Sequence, residues 1–101
     1  MNKPLRKRDR RPTHPGEILR DDVLPALGLT QGELAERLGV SRLTVSEVLR
    51  AKRGVSADMA IRLGRLLGNG PAIWLRMQQA VDIWTLEARG GYDHIERMET
   101  R

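Results

Sequence analysis

Cysteine and phenylalanine are both absent from this 101-residue chain. Without cysteine there is no disulfide and no thiolate to attack a substrate or hold a metal. Aromatic side chains stop at Trp74, Trp84 and Tyr92. The core must therefore be built from Leu, Val, Ile, Ala and Met, which suits packed helices. Those three aromatics do not interleave with basic residues, which disfavours a stacking platform for single-stranded nucleic acid. The two histidines, His14 and His94, are far apart and show no ligand spacing, so no metal site is expected. There is no phosphate-cradling glycine loop, no nucleophile elbow and no convincing pair of acids. Neither an enzyme nor a cofactor is expected. No apolar run approaches the roughly 18 residues that span a bilayer. The basic start has no apolar segment of a secretory signal. A small cytoplasmic domain with no membrane partner is the expectation.

The net charge of +5 is unevenly placed. Lys3, Arg6, Lys7, Arg8, Arg10 and Arg11 face only Asp9, so the first twelve residues carry all of the excess. A second basic concentration holds Arg42, Arg50, Lys52, Arg53, Arg62 and Arg65 against Glu47 and Asp58. Residues 82–101 lean acidic. A basic arm and a basic middle suit a polyanion.

Residues 1–13 lack periodicity and are expected to form a disordered basic arm. Order should begin at Thr13-His14-Pro15-Gly16-Glu17, with Pro15 at the first helical position, Glu17 favouring the helix dipole and His14 in the cap. Ile18, Leu19 and Val23 give the buried side. Pro25 should end this helix near Leu24 or shortly after, with Gly28 closing the segment. Thr30 and Glu33 form a capping-box pair. Leu34, Ala35 and Leu38 share one helical face, and Gly39 should stop that helix in a left-handed conformation. Ser41 caps the next helix, which runs to about Arg50 with Val45, Val48 and Leu49 inward. Ser56 caps a fourth, whose core stripe is Met59, Ala60, Leu63, Leu66 and Leu67; Arg62 and Arg65 read as its solvated face. Pro71 opens a fifth, capped by Asn69 or Gly70. There Trp74, Met77, Val81 and Trp84 make a stripe with further apolar lines beside it, wider than one core contact requires. Part of that helix should meet a second chain. Tyr92, Ile95 and Met98 leave a weakly amphipathic tail.

Thr30–Arg53 is the informative stretch. Two short helices around a glycine turn fit a helix-turn-helix. Ala35 lets them approach, and Val45 and Val48 clamp the second to the core. Its outward face is then Arg42, Leu43, Thr44, Ser46, Glu47 and Arg50. In such motifs the second helix enters the major groove. Arg42 suits the O6 and N7 of guanine, and Leu43 or Thr44 a thymine methyl. Ser41, Thr44 and Ser46 can donate to phosphates or base edges. Glu47 repels phosphate, so it should accept from a cytosine amino group or pair with Arg50 or another arginine. Gln31 at a helix start, and Lys52 and Arg53 in the following loop, suit phosphate.

These residues carry a resemblance. Thr30-Gln31, Leu34-Ala35 and Gly39-Val40-Ser41 resemble the Cro/C1-type (XRE) helix-turn-helix. Three further stretches resemble the HigA/VapI-like antitoxins: His14 to Leu19, Lys52 to Asp58, and Pro71 to Gln78. With the motif they span roughly residues 14–84. The resemblance implies an all-α, five-helix, lambda-repressor-like DNA-binding domain over residues 14–88. Its helix-turn-helix core is 30–50, its arm 1–13 and its C-terminal tail 89–101. It further implies a homodimer on double-stranded operator DNA upstream of its own operon, and a type II antitoxin that masks a HigB/RelE-like mRNA interferase. A stand-alone XRE-type regulator without a toxin is the alternative. Carried over by position, Ser41, Thr44 and Ser46 are the foremost DNA contacts. Glu47 and the tail after Gly90 depart from the pattern. Trp74, Val81, Trp84, Tyr92 and Ile95 are the expected dimer contacts. The arm could serve either toxin or DNA.

Overall fold

Helix α1 starts where the chain first supplies its own cap. In the computed structural model, which describes residues 10–99, His14 adopts extended backbone angles and its ring accepts from the Gly16 amide. Glu17 reaches back to the His14 amide, completing a capping box. The expected arm, 1–13, lies largely outside the described residues; Arg11, at its end, pairs with Glu17 at 3.2 Å.

α1 is one continuous helix in three stretches: α-helical Pro15–Ile18, π-helical Leu19–Val23 and α-helical Leu24–Leu27. It passes Pro25 and ends at Leu27, three residues beyond Leu24, with Gly28 closing it in the left-handed region at φ 68°. The physical reason lies in the middle stretch. A proline inside an α-helix lacks one amide and strikes the carbonyl four residues earlier. The π turn closes from the Leu24 amide to the Leu19 carbonyl, five residues back, which widens the helix immediately before the ring.

α2 (Gln31–Leu38) and α3 (Arg42–Leu49) follow as expected. Thr30 and Glu33 form the α2 capping box, and Gly39 ends α2 at φ 74°. Ser41 caps α3 by accepting from the Thr44 amide. α4 (Ala57–Leu67) is capped by Ser56. α5 (Ala72–Arg89) begins from Pro71, which has no side-chain cap bond. Asn69, one of the two expected caps, instead accepts from the Trp74 indole at 3.2 Å. All regular structure among the described residues is helical.

Leu19, Leu34, Val45, Leu49, Ala60, Leu63 and Trp74 form the centre of the core, joining all five helices. Two glycines permit its closest approaches. A Cβ on Gly16 would collide with the Val48 carbonyl of α3, so α1 abuts α3 backbone to backbone. A Cβ on Gly64 would collide with the Gly70 backbone, where the chain crosses α4 on its way to α5. Leu66 and Leu67 are only partly buried. Among the described residues no helix is long and apolar enough to cross a membrane.

Candidate nucleic-acid interface

Three apolar residues fix the orientation of α3. Val45, Val48 and Leu49 are all at most 2 % exposed. With that side inward, helical geometry turns Leu43, Glu47 and Arg50 most directly outward. Leu43 is 62 % exposed, an isolated apolar side chain at the centre of a polar face. Thr44 and Ser46 flank it, half-buried.

Two hydroxyls at the start of this face, those of Ser41 and Thr44, already have local duties. Ser41 Oγ accepts from the Thr44 amide at 3.0 Å and donates to Thr44 Oγ1 at 2.9 Å. Arg42 is exposed but lies back over the first turn of α2: a Cβ on Gly32 would sit 3.3 Å from Arg42 Nε. A shallow cavity of about 490 Å³ between Thr30, Gly32, Glu36, Val40 and Arg42 marks the seam. Gln31 is exposed at the start of α2. Arg50 Nε donates to the Ser46 carbonyl at 3.3 Å.

Glu47 takes the second of its expected roles. Arg53 Nε and Nη2 both donate to Glu47 Oε1, at 2.9 and 2.6 Å. The pairing joins the reading helix to the loop behind it. That loop is tightly folded: the Lys52 and Arg53 amides both donate to the Glu47 carbonyl, at 2.8 and 3.2 Å. Ala51 provides the reversal at φ 58°, a left-handed conformation that a residue with a Cβ adopts at roughly 1–2 kcal/mol. Lys52 projects from the loop and is exposed.

Two positioning residues escaped the sequence reading. Gln78 on α5 is buried, accepts from the Val55 amide at 2.8 Å and donates to Asp82 at 3.0 Å. It thereby anchors the far end of the Lys52–Gly54 loop. Its signal was a glutamine four residues after Trp74 and three before Val81, on the core-facing line. Arg62, read as solvated, instead grips the turn of the motif. Its Nη1 donates to the Leu38 carbonyl at 2.8 Å and the Gly39 carbonyl at 3.4 Å, while Nε pairs with Asp58 at 2.8 Å. Arg65 is exposed as expected.

The expected dimer contacts separate. Trp74 and Val81, 2 % and 6 % exposed, are buried in the chain's own core. Trp84 is half-buried; Tyr92 and Ile95 are exposed. The exposed apolar residues of α5 include Ile73, Ala80, Ile83 and Leu86.

A clamped helix with a polar outward row, behind a glycine turn and before a basic loop, defines a helix-turn-helix DNA-binding protein. The family model described as "Helix-turn-helix" matches residues 19–75. Antitoxin HigA-1 of Vibrio cholerae is 44% identical over 86 residues, covering 84% of this chain and 80% of that protein. The structure of the Pseudomonas aeruginosa antitoxin HigA with the higBA promoter matches with a TM-score of 0.79 and 42% identity, covering 88% of this chain and 97% of that one. Antitoxin GraA in complex with its operator matches with a TM-score of 0.81 and 41% identity, covering 90% and 95%. The chain belongs to the HigA-like antitoxins, with an XRE-type helix-turn-helix.

Proposed function

We propose that this protein is a homodimeric autorepressor that binds operator DNA upstream of its own operon. We further propose that it neutralises a HigB/RelE-like, mRNA-cleaving toxin by direct binding. The observation that carries the DNA half is the outward row of α3, held on a frame shared with relatives whose structures were determined with promoter or operator DNA. On this reading Leu43, Thr44, Ser46, Glu47 and Arg50 face base edges, with Arg42 swinging off Gly32 to join them. Gln31, Ser41, Lys52 and Arg53 take phosphates.

The exposed side of α5 supports the dimer. Ile73, Arg76, Ala80, Ile83 and Glu87 fall on one helical stripe. Two antiparallel copies place Arg76 against the partner's Glu87 and Ala80 against the partner's Ile83, the self-complementarity a twofold interface requires. The toxin half follows the family: a relative of 44% identity is an antitoxin.

A shift assay on the DNA upstream of the gene tests the first half. The Thr44→Ala/Ser46→Ala double variant should bind at least about tenfold more weakly; wild-type affinity in that variant sinks the assignment of α3. Co-expression with the neighbouring reading frame, followed by pull-down and translation rescue, tests the second. Retention of the neighbour and restored translation are expected. No retention leaves a stand-alone regulator.

A further inference from the structure

The Glu47–Arg53 pair has an asymmetry with consequences for DNA discrimination. Both arginine nitrogens donate to one carboxylate oxygen, Oε1. Among the described residues, Oε2 has no hydrogen-bond donor. Glu47 lies one turn after Leu43 on the outward centre of α3, so a free acceptor stands on the reading face. Arg53 is pinned through its backbone: its amide is bonded to the Glu47 carbonyl, and the next turn of chain is tied to Gln78 through Val55. The arginine can therefore change partners by side-chain rotation alone, with the loop staying in place.

We propose that Glu47 is a specificity-determining residue that withholds Arg53 from phosphate on arbitrary DNA and releases it on the operator. The inference rests on the DNA-reading assignment of α3. On an unrelated duplex, the carboxylate meets phosphates and base acceptors that repel it. Keeping Arg53 is then its best arrangement, and the guanidinium displaces no counterion. On the operator, a cytosine amino group donates to Glu47. That bond at Oε2 draws charge from the carboxylate and weakens its hold on Arg53, and the guanidinium turns to a phosphate. One residue thus penalises wrong sequence and adds a backbone contact on the right one.

Glu47→Gln and Arg53→Gln test this on two duplexes, the DNA upstream of the gene and a shuffled duplex of equal composition. Anisotropy titrations from low to moderate salt give affinity and salt slope. Thermal melting confirms that both variants fold, as expected for a partly exposed pair. Glu47→Gln should bind the shuffled duplex about tenfold more tightly, with a slope steeper by about 0.9, one phosphate contact. Its operator-to-shuffled ratio should fall by about the same factor. Arg53→Gln should lose about 0.9 of slope on the operator and none on the shuffled duplex. An unchanged ratio in Glu47→Gln, or an equal loss of slope on both duplexes in Arg53→Gln, overturns the proposal. If the wild type binds both duplexes alike, the assignment of α3 falls and this proposal with it.

Discussion

His14 is an imidazole in a place more often held by a hydroxyl or carboxylate. Its Nδ1 must be unprotonated to accept from the Gly16 amide at 2.9 Å. Burial lowers its pKa below the ordinary 6.5, with Glu17 raising it, Arg11 lowering it and Asp82 raising it, in that order. The neutral form is thus the folded one. Its stabilisation is fully present above about pH 6.5 and is lost as pH falls through the lowered folded-state value. Loss of such a cap is worth about 1 kcal/mol, roughly 4–8 °C in a domain of this size. Melting temperature should therefore drop between pH 7.5 and 5. His14→Asn keeps a capping oxygen and removes the titration, so its melting temperature should fall less over that range; an equal fall in both proteins rejects the role. Caps of this kind were readable from the chain alone at Thr30, Glu33, Ser41 and Ser56, because each acts within three residues of itself. Gly16 gave no such sign. Its need for a missing Cβ arises from Val48, on another helix.

At the scale of elements, α2 and α3 are held by more than their own turn. Arg62 takes the carbonyls at the end of α2 from across the molecule. Removing its guanidinium leaves the Gly39 turn without that support. Arg62→Gln should lose about 1 kcal/mol of stability by denaturant titration and weaken operator binding. The salt slope should stay at the wild-type value, because the guanidinium is committed to Leu38, Gly39 and Asp58; a flattened slope would make Arg62 a phosphate contact instead. The helices themselves were foreseeable from apolar spacing and glycine stops. The polar links were not: Arg62 to Leu38 and Gln78 to Val55 each span more than twenty residues, and only packing brings such partners together. Pro25 placed the end of α1 only to within a turn, for a related reason. A proline signals a helix end unless the preceding turn is widened, and no local pattern announces a π turn.

At the scale of the whole molecule, the proposed homodimer needs an exposed face on each chain. Trp74 and Val81 face inward, so the proposed twofold contact is the stripe of Ile73, Ala80 and Ile83. Ile83→Asp places a charge against the apolar side chain of the partner's Ala80, twice in a twofold contact. It should elute as a monomer in gel filtration and lose the affinity that comes from holding two reading helices about 34–36 Å apart. A variant that remains dimeric places the interface elsewhere. α5 itself carries a further consequence. It is 18 residues long, about 27 Å, yet every one of its residues after Trp84 is exposed. Its last turn, Thr85 to Arg89, has little besides its own backbone bonds to resist opening. Amide protons there should exchange with solvent quickly in dilute protein and slow down as concentration rises and copies pair. Deuterium uptake along this one helix would then report assembly, with Trp74 to Val81 as an internal standard protected at every concentration.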